Sequence, residues 1–317
     1  MKRFSTIFAV FILLEVFAAT TQADVLIAVD SFGTGANQFS IDFVPISNST
    51  NPSSGYGIVD YDYRMGVFEI TNDQWNKFTA SLGVSVTGSQ EGYSYSSYFT
   101  GTNVPTDNVS WYEAAQFINW LNTSTGHQAA YKFTGTQGTG DYTFAMWESS
   151  DAWGETNLYR HKDAYYFLPN EDEWFKAAYW NGTTIQDYTT RPGDTLHQGD
   201  GVNGTGWNYY DTSLPSGPWN VGSGSEELNG TYDMMGNNRE WVESPFIIQD
   251  YTLGSWRGMR GGTWDNNSTY LVARASIYTP PTNESIRVGF RVASVPEPST
   301  ITLSLCVLAS VAIIRRR

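Results

Sequence analysis

The sequence predicts an α+β fold in which three short helices and a few strands are set in much irregular chain. Three observations predict it. Three separate segments carry complete helix-start signals; two extended runs flank them, one with clear alternation; and residues 181–229 are rich in Gly, Asn, Asp and Thr without any sustained period. A chain of 317 residues is long enough to bury a sizeable core as one or two domains. No repeat of twenty to fifty residues is evident, which argues against a solenoid or propeller.

Taken in order, the chain opens with Lys2 and Arg3, an apolar stretch over residues 7–14, and "TQA" ending at Ala23. That order reads as a secretory signal, with Glu15 as its one departure from pattern. "RMGVFEI" (residues 64–70) reads as a strand entering the first helix. In "TNDQWNKF", Thr71 caps and Gln74 stands at N3, with Trp75 and Phe78 on one face. In "SWYEAAQFINWLN", Ser110 caps and Glu113 stands at N3, with Ala114, Phe117, Ile118 and Leu121 as the apolar stripe. In "NEDEWFKAAYW", Asn170 caps and Glu173 stands at N3, with Trp174, Ala177 and Ala178 inward and further acids suited to the helix dipole. At each start the cap and N3 side chains exchange hydrogen bonds with backbone N–H groups that would otherwise lack partners. "IRVGFRVAS" (residues 286–294) alternates, with Ile286, Val288, Phe290 and Val292 on one face and Arg287 and Arg291 on the other.

After residue 294, "VPEPS" leads into a short apolar run that ends in Arg315, Arg316 and Arg317. A span needs roughly twenty apolar residues, so this one is short, but the arginines would hold it at the cytoplasmic side. The expected organisation is a signal at 1–23, a body at 24–294 and a tail with a short transmembrane segment at 295–317. The tail closely resembles the PEP-CTERM sorting signal of Gram-negative bacteria. That resemblance implies a sorting protease that removes it, transient anchoring in the inner membrane, and export of the body to the surface or extracellular matrix.

Cys306, the only cysteine, lies within this tail. The body therefore has no thiol for a disulfide or a nucleophile, although an exported chain would be free to form disulfides. The formal net charge of -14 argues against nucleic acid and anionic membrane surfaces as partners, since both require basic patches. It is compatible with divalent cations or neutral glycans. An aromatic content of 15% argues for an ordered core rather than disorder.

Five stretches resemble, in order, the formylglycine-generating, sulfatase-modifying-factor family. They are "YRMGVFEITNDQWNKF", "PTDNVSWYEAAQFINWLN", "YFLPNEDEWFKAAYW", "YDMMGNNREWVE" and "RGGTWDNNSTYLVARAS" with "IRVGFRVAS". The resemblance implies a fold related to C-type lectin-like domains, low in regular structure and rich in buried tryptophan. In catalytic members the loop after the "RGGSW"-like motif carries two copper-binding cysteines. The matching positions here are near Asn266 and Leu271, and neither supplies the thiolate that a soft cuprous ion favours. No copper and no formylglycine generation are expected. A second branch of the superfamily binds iron through histidines; here His127, His161 and His197 are widely separated and form no such pattern. No G-x-S-x-G elbow supports a serine hydrolase either.

The resemblance also implies a structural calcium held by "DMMGNNRE", through Asp233, the carbonyls of Gly236 and Asn238, and Glu240. Calcium takes six to eight hard oxygens, so these four would need further ligands, with Asn208 a guess for a neighbouring site. The competing reading is a glycine turn with Trp241 in the core and Glu240 paired with an arginine. Arg239 stands where the family often has tryptophan. Trp207, Tyr209, Tyr210 and Trp219 could stack on sugar rings or peptide side chains, or could simply be core. Arg260 and Arg274 read as ion-pair partners or pocket residues. The functional expectation is an exported, non-catalytic domain that binds a peptide or glycan ligand. The alternatives are an oxidoreductase of the same superfamily that needs no copper cysteines, and a structural component of a surface assembly.

Overall fold

The computed structural model describes residues 27–86, 98–210 and 216–296. The expected signal and the sorting tail, including Cys306, lie outside the described residues. The expected transmembrane segment and inner-membrane anchoring are corrected on one finding: among the described residues no helix is long and apolar enough to cross a membrane. The short apolar run that prompted them falls below the length a span needs.

The predicted α+β class is what the structure shows. One sheet has five strands: β1 (Ala28–Phe32), β2 (Phe39–Ile46), β3 (Tyr63–Gly66), and, further along the chain, Ala293–Ser294 and Tyr166–Phe167. Its first three strands form an antiparallel meander. Ala293–Ser294 then pairs antiparallel with both β3 and Tyr166–Phe167, so the last strand among the described residues locks the first part of the body.

Three helices follow the predicted starts. α1 is Asn72–Leu82, α2 is Trp111–Ser124 and α3 is Glu171–Tyr179. All three have complete capping boxes at Thr71/Gln74, Ser110/Glu113 and Asn170/Glu173. Their predicted apolar faces are buried. Trp75, Phe117 and Phe290 pack ring against ring between α1 and α2, while Trp174, Ala177 and Ala178 join a second cluster with Tyr63, Met65 and Phe167.

Two small hairpins lie between α2 and Tyr166–Phe167: β4 (Lys132–Thr134) with β5 (Thr143–Ala145), and β6 (Ala152–Trp153) with β7 (Asn157–His161). Tyr166–Phe167 is β8. A second sheet holds β9 (Arg239–Pro245) and β10 (Arg257–Arg260), flanked by β11 (Ile277–Thr279) and β12 (Val288–Gly289). Ala293–Ser294 is β13. The predicted 286–294 strand is thus split between two sheets. Val288, Phe290 and Val292 are buried as the alternation predicted, but Arg291, read as an outward residue, is fully buried too. Its guanidinium finds a carboxylate and three backbone carbonyls inside, which removes the reason for an exposed face. The predicted 64–70 strand is ladder-paired only to Gly66; beyond it, Val67 N–H donates to Asp42 and Ile70 N–H to Phe290.

Residues 181–229 hold no named strand or helix among those described, as predicted. Local polar turns at Asn181 and Asp200 order parts of the described segment, and Trp207 packs with Met235 and Leu271 in a third small cluster.

Candidate functional site

The segment 233–240 forms a tight turn that delivers the chain into β9. Asp233 and Asn237 adopt positive φ (60° and 53°), as does Gly236 at 87°. At Gly236 a Cβ would come within 2.2 Å of the Asn208 carbonyl oxygen, so only glycine fits. The Gly236 N–H donates to the Gly261 carbonyl (2.9 Å) and the Asn237 N–H to that of Asn208 (2.8 Å). This stitches the turn both to the irregular 181–229 region and to the chain leaving β10.

The four residues predicted for calcium behave differently from one another. The Asp233 carboxylate accepts the Gly222 N–H (2.7 Å). Burial pushes its pKa up to about 6, against the pull of that N–H and of Arg291. Asn238 donates its backbone N–H to Glu69 (2.9 Å), yet both side-chain polar atoms are buried without a partner among the described residues. Glu240 is gripped by Arg291 through two bonds (2.7 and 2.5 Å) and also accepts the Trp174 indole N–H (2.6 Å). Trp241 is fully buried.

For a calcium ion the fit is partial. The orphaned Oδ1 atoms of Asn238 and Asn208 are unengaged hard oxygens, while both Glu240 oxygens already accept hydrogen bonds. Among the described residues no group of three or more His, Cys, Asp or Glu side chains could hold a metal. The three histidines stack against different aromatics: His127 on Tyr165, His161 beside Trp147 and His197 beside Trp207.

Glu69 was missed by the sequence reading. It accepts the Asn237 side-chain amide (2.6 Å) as well as the Asn238 N–H. Burial, with Asp233 and Glu240 nearby, raises its carboxyl well above the usual carboxylate range. A lone charge inside the apolar run "GVFEI" was the available signal.

A cleft of about 230 Å³ opens beside Gly261 and Gly262, lined by Arg239, Arg260, Arg274, Tyr270 and Thr269 among others. Gly262 adopts φ +76°, with a Cβ position only 2.6 Å from the Leu271 side chain. The chain that follows includes Asn266 and Leu271, the two positions matched to the cysteines of catalytic members. Asn266 accepts a bond from the Arg239 guanidinium (2.8 Å), and Leu271 is fully buried in the third cluster. Neither position carries a thiol, and the only cysteine of the chain is far off in sequence at 306.

Three arginines meet at this cleft. Arg260 is a structural residue as well as a lining one: it pairs with Glu171 and donates to the Ala273 and Ala275 carbonyls (2.9 and 3.0 Å). Arg239 has no bonded carboxylate; burial lowers its pKa, with Asp265 opposing and Arg287 reinforcing the shift. Asp265 itself is engaged by Arg287 (2.7 Å). Arg274 is exposed and has no hydrogen-bond or ion-pair partner among the described residues. The arrangement is a local concentration of positive charge on an acidic protein, suited to holding an anionic group. Of the four aromatics singled out, Trp207 is core, Tyr209 and Trp219 are half-buried, and Tyr210 is exposed.

Comparison with known proteins gives three findings. Residues 13–295 match the sulfatase-modifying factor enzyme 1-like domain. Among curated proteins, the chain is 25% identical over 267 residues to the chaperone protein LppX of Paenibacillus barcinonensis, covering 77% of this chain and 80% of that one. Among solved structures it is similar to Treponema denticola variable protein 1 (TM-score 0.57, 20% identity, 84% of this chain and 99% of that). It is also similar to PvdO of Pseudomonas aeruginosa (TM-score 0.54, 15% identity, 84% and 98%). At these identities the solved structures speak to the fold alone.

Proposed function

The chain belongs to the sulfatase-modifying factor family, and from that premise we propose that it is a divergent member whose arginine-lined cleft holds an anionic ligand. The family's copper chemistry is closed to it, because a chain with one cysteine has no pair to bind the metal. One observation carries the reading: Arg239 and Arg274 line the cleft with no carboxylate bonded to either among the described residues. A ligand carboxylate, sulfate or phosphate would supply the charge that the protein does not. The ligand class that fits is an acidic peptide or an acidic glycan.

Two roles are open to such a cleft. One is capture alone, with the ligand unchanged. The other is an oxidoreductase of the same superfamily whose chemistry needs no copper cysteines. Family membership favours the second, since the match spans the whole body and a cleft is kept beside the segment that bears the cysteines in catalytic members. The only oxidisable side chains in the lining are Tyr270 and Met259, and neither is an oxidant, so the oxidant or cofactor would come from outside the chain. Calcium belongs to the proposal as a stiffener of the 233–240 turn. Asp233, the Gly236 and Asn238 carbonyls and Glu240 are its candidate ligands, with Glu240 shared with Arg291.

The test is calorimetric titration with acidic peptides and acidic oligosaccharides, with and without calcium, followed by mass analysis of the recovered ligand. Arg274→Gln should weaken binding by about tenfold to a hundredfold, the loss of one charge-assisted bond. Binding unchanged in an Arg239→Gln/Arg274→Gln double variant would sink the proposal. An unchanged ligand mass would favour capture; a shifted mass would favour turnover.

A further inference from the structure

A second cavity, of about 410 Å³, opens at the N-terminal end of α3 and involves none of the residues that line the arginine cleft. The two are kept apart by the Arg260–Glu171 pair, with Arg260 on one side and Glu171 on the other. In the second cavity the charge is reversed. Glu171 is neutralised by Arg260 and hydrogen-bonded by Tyr278 (3.0 Å), but Asp172 has no ion-pair partner among the described residues and feels the Arg260 charge only at a distance. Its Oδ1 accepts the Gly57 N–H (2.9 Å), and its Oδ2 has no partner among the described residues. Half-burial raises its carboxyl above the ordinary value, with Glu171 and Glu173 adding to the effect and the Gly57 N–H and Arg260 opposing it, so a cation placed directly on Oδ2 would offset the remaining cost.

The remaining walls are part apolar or aromatic, with Tyr56, Pro245, Ile248 and Tyr251, and part polar, with Thr156 and Gln249 among them. Ile248, which lines the cavity, is 75% exposed, and its chain neighbours Phe246 and Ile247, 56% and 60% exposed, line a separate cleft with Trp256, so bulky apolar side chains face water just beyond the cavity. A ligand that satisfies both parts needs a cationic tip, an alkyl stem and apolar flanks. One free carboxylate oxygen suits the compact, single-point ammonium better than the two-pronged guanidinium, which seeks both oxygens. The net charge of -14 would steer a basic segment toward the molecule.

We propose that this cavity is a binding site for a lysine side chain of a peptide, with its ammonium on Asp172, its stem along Ile248 and Tyr251, and its apolar neighbours on the Phe246–Ile248 rim. The site stands independently of the anionic-ligand reading, and the two fail separately.

The test titrates the full chain with acetyl-Leu-Lys-Leu-amide, its norleucine and glutamate counterparts, and pentylamine alone. The lysine peptide should bind at least about tenfold more tightly than the norleucine peptide, the worth of one charge-assisted bond. Asp172→Asn should remove most of that preference, and Ile248→Ser should weaken both peptides alike. Arg274→Gln should leave all of it unchanged. Equal affinity for lysine and norleucine peptides, no binding of either, or pentylamine binding as tightly as the lysine peptide would each overturn the proposal. The ligand contrast and the exposed Ile248→Ser variant decide the matter even if Asp172→Asn perturbs the fold.

Discussion

The two ends of strand β9 show two ways of burying polar groups. At its far end Glu243 meets Arg160, which also holds Glu173, all three without solvent exposure. Around them the Tyr131 hydroxyl and the Asn157 amide donate to Glu243, and the Asn170 N–H donates to Glu173. The Arg160 guanidinium lies 3.8 Å from the Phe167 ring centroid, and its nitrogens are engaged by carboxylates and by the Leu168 carbonyl. At the near end Asn238 has two buried side-chain atoms unengaged, Asn208 has one, and Arg239 lacks a carboxylate. A closed network fixes structure, whereas unengaged polar atoms beside a cleft leave capacity for a ligand. The lesson is that incomplete pairing marks the candidate site only where it faces a cleft: at the far end Arg257 is also fully buried with Nε and Nη2 unengaged among the described residues, but the Trp111 and Tyr159 rings cover its guanidinium.

The largest break of this contrast is at the closed end. Arg160→Met would leave Glu173 and Glu243 buried without a counter-charge, and loss of one member of a buried ion cluster costs about 3–5 kcal/mol. Because Glu173 is also the N3 residue of α3, the start of that helix should loosen with it. Urea denaturation should show a large fall in the midpoint. A loss under about 1 kcal/mol would mean that the carboxylates find water or protons instead, and that this end is no more closed than the other.

The helix starts were legible in the sequence because a capping box spans three residues, and Thr71, Ser110 and Asn170 announce it locally. The buried faces of Val288, Phe290 and Val292 were legible for the same reason, through a period of two. Glu240 paired with an arginine was foreseen as one of two readings, but its partner was not. Arg291 lies 51 residues on, and Arg160 reaches Glu243 across 83. No local pattern encodes such pairings; only the folded chain brings them together. The second cavity was invisible for that reason, since its walls come from residues near 56, 171 and 248. The need for glycine at 236 was readable as a turn, but not as contact with Asn208.

That contact gives the second break, at the open end. Gly236→Ala must place a Cβ within 2.2 Å of the Asn208 carbonyl oxygen at a φ of +87°. Left-handed strain costs roughly 1–2 kcal/mol and overpacking about 1–3, so a loss of about 2–5 kcal/mol is expected in thermal or urea unfolding. The damage should reach the Asn208 segment, so Trp207 fluorescence should respond before the α1–α2 core does. A uniform loss across both regions would show that the turn is as tightly coupled to the core as the Arg160 cluster is.

The effect that is smallest per step, a slope with pH rather than a single loss, sharpens the comparison by asking how the open end keeps a buried carboxylate without an arginine bonded to it. Glu227 is fully buried and accepts four bonds: the Thr189 and Thr231 hydroxyls and the Met234 and Met235 N–H groups. Burial pushes its pKa from an ordinary 4.5 up to about 8, although the Thr189 and Met234 bonds and the distant charge of Arg291 pull the other way. The folded chain then holds a proton that the unfolded chain releases across that window. Stability should therefore fall as pH rises from about 5 to about 8, by up to about 1.4 kcal/mol per unit, and level off above. Glu227→Gln carries no such proton, so its stability should lose that part of the slope. Urea midpoints of both proteins across this range check the point. If the two pH profiles ran parallel, the four donors would be holding Glu227 ionised throughout. The open end would then stabilise a bare carboxylate by hydrogen bonds alone, which the Arg160 end never has to do.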